Sequence, residues 1–172
     1  MGTIISSAPP AKILSIFNPD DFSAVTGTTV ETITGSVLIP ANTTTNSYNS
    51  VGVAELTARI LKTGILGGTT LRVHTNTVDN LTGAILLATA GGALAADLFH
   101  QISRTLFIAK SPIDTKVALR SAQIYSDDSR FTTVESANAI DWSVDQYIIL
   151  TVQNANAADS TIGSGILFKI YK

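Results

Sequence analysis

The stretch Val53–Thr63, VAELTARILKT, decides the fold class. On an extended chain Ala54, Leu56, Ala58 and Ile60 share one face, while Glu55, Thr57 and Arg59 share the other. Period two with one polar face is the pattern of an antiparallel strand packed on one side. The alternation recurs away from this segment. In Thr69–Thr75, Leu71 and Val73 oppose Thr70, Arg72 and His74; near the end of the chain, Ile166, Phe168 and Ile170 oppose Lys169. Threonine makes up roughly 13% of the sequence, well above ordinary usage. Residues branched at the β-carbon favour the pleated conformation, so this richness in Thr, Val and Ile argues for strands.

Turn residues separate the runs at short intervals: Gly35, Pro40-Ala41-Asn42, Gly67-Gly68, Asp79-Asn80, Gly91-Gly92, Ser111-Pro112, Asp127-Asp128, Asn154 to Asp159, and Gly163. The expected strands are 12–17, 28–39, 51–63, 69–77, 83–89, 99–110, 115–125, 131–135, 146–153 and 164–171. Short strands and short turns in this rhythm read as a sandwich or barrel. The glycine-rich Gly64–Gly68 and Gly91-Gly92 read as hairpin turns, since neither carries the Lys-Ser/Thr ending of a phosphate loop. Gly92–Gln101, GALAADLFHQ, is compatible with one or two helical turns. Tyr147–Val152 is apolar on both faces, as in a central strand or one whose outer face meets another subunit.

The chain has 172 residues, 18.0 kDa, a formal charge of −2 and no cysteine. That length suits one domain with a core large enough to stand without disulfides. Near-neutral charge argues against a nucleic-acid partner. No apolar run approaches the ~18 residues that would span a bilayer, and MGTIISSAPPAK has neither the basic start nor the apolar core of a signal peptide. Charged residues are 14% beside 45% hydrophobic ones, where about 25% charged is ordinary. Such a balance implies a surface polar through Thr, Ser and Asn, or apolar area covered by neighbouring subunits.

The titratable inventory does not point to catalysis. His74 and His100 lie in different strands without a metal-ligand spacing, and no Gly-x-Ser-x-Gly elbow occurs. Asp20-Asp21 and Asp127-Asp128 lack the alternating oxygen ligands of a calcium loop and suit turn capping. The expectation is no catalytic residue, no cofactor and no metal. Trp142 and Tyr147 sit in an apolar block and read as core or interface. Tyr48 and Tyr125, beside turns, read as exposed; with Asp127, Asp128 and Arg130 they form the expected contact surface.

Several phrases together resemble the head domains of bacteriophage fibres and related virion proteins: Thr34 to Asn42 (TGSVLIPAN), Arg59 to Thr70 (RILKTGILGGTT), the "NT…LTGA-LLAT" phrase within Leu71 to Thr89, and Ala139 to Asp159 (AIDWSVDQYIILTVQNANAAD). The resemblance covers most of the chain from about residue 28 onward. It implies a jelly-roll-like antiparallel β-sandwich, assembled as a homotrimer and displayed on a virion, where it touches a host-surface glycan or protein. A fibre head often follows a long shaft; here a short segment precedes the sandwich. Either the first 10–25 residues dock a compact protein to other virion proteins, or the chain is a fragment of a longer fibre; the expected division is an N-terminal arm and first strand at 1–25 and a head domain at 26–172. The rival readings are a carbohydrate-binding module of the same sandwich class and, more remotely, a β-sandwich hydrolase. A monomer retained on a polysaccharide column would favour the module; a stable trimer favours the virion protein.

Overall fold

The computed structural model describes residues 13–18, 22–43, 52–93, 99–108, 115–119, 136–138 and 140–171. These contain ten strands and no helix: β1 Ile13–Asn18, β2 Thr32–Ile39, β3 Gly52–Thr63, β4 Thr69–Asn76, β5 Ile85–Ala93, β6 Phe99–Ile108, β7 Thr115–Leu119, β8 Ser136–Asn138, β9 Gln146–Asn154 and β10 Ser160–Tyr171. They form two antiparallel sheets, a six-stranded one ordered β1-β10-β3-β6-β7-β8 and a four-stranded one ordered β2-β9-β4-β5. Without β7 and β8, the pairs β1/β10, β2/β9, β3/β6 and β4/β5 are the successive rungs of one long antiparallel ribbon. That ribbon is rolled so that β10 meets β3 and β9 meets β4. This is the wrapping of a jelly roll. The pair β7 and β8 extends the six-stranded sheet beyond β6.

The alternation read in the sequence becomes the core. Ala54, Leu56, Ala58 and Ile60 of β3 are buried, as are Leu71 and Val73 of β4 and Ile166, Phe168 and Ile170 of β10. Burying a large side chain of this kind contributes roughly 1.5–3 kcal/mol. Trp142 is buried in the same cluster, its ring 5.8 Å from that of Phe168 and tilted by 30°. The doubly apolar β9 is a central strand, between β2 and β4. Its inward residues Ile148, Leu150 and Val152 join the core.

Phe22 fits between the two sheets. It packs against the core, and its ring lies on Gly35 of β2 and Gly163 of β10, so closely that a Cβ at either glycine would collide with it. Both glycines stand at register shifts, between Ile33 and Gly35 in one sheet and between Gly163 and Gly165 in the other. A bulge re-aims the strand, and glycine leaves room for the ring. Beside it, the Thr34 hydroxyl donates to the Ser23 carbonyl (2.7 Å) and accepts from the Gly163 amide (2.7 Å), joining the sheets through one side chain.

Three local expectations need correction. Gly64–Gly68 is not a hairpin turn: it carries the chain from β3 in one sheet to β4 in the other. Gly91-Gly92 lies within β5 rather than in a turn. The helical reading of Gly92–Gln101 fails at both ends, where Gly92 and Ala93 belong to β5 and Phe99 to Gln101 belong to β6; residues 94–98 lie outside the described residues. Local composition reports where a chain can bend, whereas sheet pairing decides where it does. The strand expected at 131–135 also falls outside the described residues, and β8 follows it at Ser136–Asn138.

Candidate functional site

The residues expected to make a contact surface, Tyr48, Tyr125, Asp127, Asp128 and Arg130, all lie outside the described residues. The described residues bring together other groups, on the outer face of the four-stranded sheet. Strand alternation and register set out the rows. Ile33, Thr151, Arg72 and Thr89 run across β2, β9, β4 and β5; Ser36, Ile149, His74 and Leu86 form the next row. Leu38, Tyr147 and Asn76 form the third.

Over the first two rows lies the side chain of Glu31, from the residue preceding β2. One carboxylate oxygen, Oε1, accepts from the Thr151 hydroxyl (2.6 Å) and from Nε2 of His74 (2.8 Å). The other, Oε2, lies 3.1 Å from Nη1 of Arg72. Arg72 also donates to Gln153 Oε1 (3.1 Å), and the Gln153 amide donates to the Thr29 carbonyl (3.1 Å). Residues 28–31 are thereby drawn onto the sheet. Burial raises the affinity of the Glu31 carboxyl for a proton, but the Thr151 hydroxyl, His74 and Arg72 together outweigh it and hold the group below the usual carboxylate range. The carboxylate is ionised at neutral pH, and the Arg72 guanidinium offsets its charge.

That cluster explains an otherwise odd burial. Ile149 and Thr151 point away from the core yet are fully screened from solvent. Ile149 sits in register between Ser36 and His74, and Thr151 lies under the Glu31 carboxylate. Beyond this screened centre the face turns apolar and open, with Leu38 and Leu86 exposed beside half-buried Tyr147. Such a surface can pack against another protein through its apolar margin without leaving a buried charge unpaired. No group of three or more potential metal ligands occurs among the described residues.

A second ion pair has a different setting. Where the loop 64–68 meets the loop 155–159, Lys62 Nζ lies 3.2 Å from Asp159 Oδ2, with side chains 2% and 0% exposed. Lys62 also donates to the Gly67 carbonyl, and Asp159 accepts from the amides of Leu66 (3.2 Å) and Gly67 (2.8 Å). Burial opposes ionisation of Asp159, but these two amides and Lys62 prevail and its carboxyl is held low. Gly64 approaches the same carboxylate at a φ of 97°, a conformation that favours glycine, and a Cβ there would strike Asp159. Next to the pair, buried Asn154 makes four hydrogen bonds. It accepts from the Thr69 and Thr161 hydroxyls and donates to the carbonyls of Val25 and Asp159. Every polar site of that amide is satisfied. This constellation fastens loops together and offers no open position to a ligand.

The sequence reading placed Arg72, His74 and Thr70 on one polar face but did not find Glu31 as their partner. Nothing near residue 31 signals the contact, which exists because β9 brings the start of β2 within one strand of β4.

No family model matches the chain, and no curated protein sequence matches it. Among solved structures, dimeric latent PorU from Porphyromonas gingivalis is similar at a TM-score of 0.45 and 8% identity, over 99% of this chain and 14% of that one. The CBM2 module of the evolved Dit of Lactobacillus casei BL23 phage J-1 is similar at a TM-score of 0.37 and 9% identity, over 79% of this chain and 68% of that one. A chain of the infectious bursal disease virus Gx strain is similar at 0.35 and 11% identity, over 96% of this chain and 43% of that one. This chain thus spans a minor part of the first and third of these, and its jelly-roll assignment rests on its own strand order.

Proposed function

We propose that the protein is a non-enzymatic structural component of a bacteriophage virion, a trimeric fibre head or head/tail decoration protein acting in assembly and host-surface attachment. The observation that carries the reading is the outer face of the four-stranded sheet. Its charged groups, Glu31 and Arg72, compensate one another, with His74 hydrogen-bonded to the same carboxylate, while Leu38 and Leu86 stand exposed at its margin. In a trimer one patch of a chain meets a different patch of the next, so a face with internally neutralised charge and an apolar rim is suited to contact between copies because it needs no matching charge on the partner surface. The low overall charge, 14%, is in keeping with it, and the virion setting comes from the resemblance of the quoted phrases to fibre heads. Attachment would then work by multivalency, three modest sites on each trimer acting together.

Light scattering on the purified protein tests the assembly. A mass of three chains is expected, and Leu86→Asp with Leu38→Asp should shift it to one chain while the sandwich stays folded. A monomeric wild-type protein defeats the trimer. Detection of the protein in purified particles by mass spectrometry is the companion result, and its absence from them removes the virion assignment.

A further inference from the structure

The opposite face of the molecule, the outer side of the six-stranded sheet, carries a different combination. Where β3 ends and β6 begins, three cross-strand pairs follow one another: Leu61 with Phe99, Arg59 with Gln101, and Thr57 with Ser103. Ile162 of β10 stands in register with Leu61 on its other side. Phe99 is 49% exposed and Leu61 46%, an unusual setting for a phenylalanine on a strand. The Arg59 guanidinium lies 5.2 Å from the centroid of the Phe99 ring. Polar groups continue the row: the Thr57 and Ser103 hydroxyls are 3.2 Å apart, and the Gln101 amide donates to Ser103 at 3.4 Å.

Arg59 is exposed and makes no ion pair among the described residues. Glu55 on the same strand face accepts instead from the Tyr171 hydroxyl (2.9 Å) and stands opposite Lys169. Beside the half-exposed Phe99 ring the face thus presents Arg59 as a cation without an acidic partner among the described residues, with hydroxyl and amide groups in the adjoining rows and Lys169 farther along, opposite Glu55. Neighbouring strands lie about 4.8 Å apart and successive rows on one face about 6.7 Å apart along the strand, so the ring, the guanidinium and the hydroxyls fall within the span of a few linked sugar rings. A ring and an aliphatic margin suit the C–H face of a pyranose, and a guanidinium suits a carboxylate bidentately. An acidic peptide would call for several cations around the ring; among the described residues, Arg59 alone lies against Phe99, among hydroxyl and amide partners.

We infer that the Arg59–Phe99 surface binds an acidic glycan, one built of carboxylated sugars, with Arg59 on the sugar carboxylate, Phe99 and Leu61 under the ring, and Gln101 on a hydroxyl. This rests on the attachment role proposed above and names its ligand class. Neutral sugars bind more weakly because they leave the guanidinium desolvated without a counter-charge.

Calorimetric titration of the full chain at low salt tests it, with a galacturonic-acid oligosaccharide, its methyl-esterified form and hyaluronan as probes. The acid forms are expected to bind, and esterification to weaken binding at least about tenfold, as loss of a charge-assisted pair would. Arg59→Gln should abolish that difference between acid and ester, Arg59→Lys should recover part of it, and Phe99→Ala should weaken both forms. Equal binding of acid and ester, an unaffected Arg59→Gln variant, or no binding of either acid glycan overturns the inference. So does a fall in oligomer mass on Phe99→Asp, which would assign the surface to a subunit contact. Mass and glycan binding are read on the same samples: a trimer without binding removes this site alone, and a monomer that binds removes the trimer alone.

Discussion

Two ion-pair sites in one small sandwich show how setting decides what a charge does. Lys62 and Asp159 are closed off at 2% and 0% exposure, and each spends its remaining polar capacity on the backbone of the loop it secures. Arg72, His74 and Glu31 meet at 24%, 13% and 28% exposure on an open sheet face. In the first site the charges are committed to closing the join between β3–β4 and β9–β10. In the second they remain in exchange with solvent and screen two outward residues of β9. A buried pair gains little over a well-packed apolar pair but is costly to break, whereas a half-exposed pair is weak and responds to conditions.

The largest effects follow from breaking the buried pair. Asp159→Leu removes the counter-charge of the buried Lys62 ammonium and the acceptor of the Leu66 and Gly67 amides at once, so it should lower the melting temperature more than Lys62→Met or any change at the open site. Lys62→Met leaves Asp159 with both amide donors and should cost about 3 kcal/mol, or roughly 6–12 °C in a chain of this size. Thermal denaturation followed by circular dichroism measures both. If the two variants melt alike, the amides contribute nothing beyond the ion pair, and the loop-fastening role of Asp159 is lost.

The open site should respond on a smaller scale and to pH. Glu31→Gln preserves the shape and the Thr151 contact but removes the charge that holds Arg72 and His74. Its cost at neutral pH is about 1 kcal/mol after discounting for exposure. The Glu31 carboxyl is held below its ordinary 4.5 in the folded chain. Its contribution is therefore fully present above that value and is lost as pH falls through the lower folded one. Wild type and Glu31→Gln should differ in melting temperature at pH 7 and converge in acid. A gap that persists unchanged to pH 3 would mean that the cluster stabilises through packing and not through charge.

The two sites also differ in how far the sequence could announce them. Alternation in VAELTARILKT and its counterparts identified the inward faces of β3, β4 and β10, because burial on a sheet repeats with period two; the doubly apolar β9 was legible only as a central strand or an interface strand, and the strand order settles that it is central. It could not tell that GILGG crosses between sheets: a glycine-rich bend looks the same whether the chain returns beside itself or leaves for the opposite layer. Arg72 and His74 were legible as a polar face, but their partner Glu31 is more than 40 residues earlier in a segment without pattern. The contact is a property of the strand order β2-β9-β4, which no local window contains. Arg59 was legible on the polar face of its strand, but Phe99 lay in a stretch compatible with helical turns, and their meeting depends on the β3/β6 register.

The finest test of the comparison uses salt. Arg72→Gln removes one half-exposed cation while leaving an amide able to reach Glu31 or Gln153, so its cost in dilute buffer should be only a few tenths of a kcal/mol. At about 1 M ionic strength the screening length falls to roughly 3 Å, comparable to the 3.1 Å between Arg72 and Glu31. Solvent ions can reach that pair, and the difference between wild type and Arg72→Gln should shrink towards zero. They cannot enter between Lys62 and Asp159, so the deficit of Lys62→Met should be the same in both buffers. Measured as paired melting curves, this places the boundary between the two kinds of charge at the solvent's reach and not at the strength of the pair. An Arg72 effect that survives high salt would move that boundary, assigning the Glu31 cluster to the interior along with the Ile149 it screens.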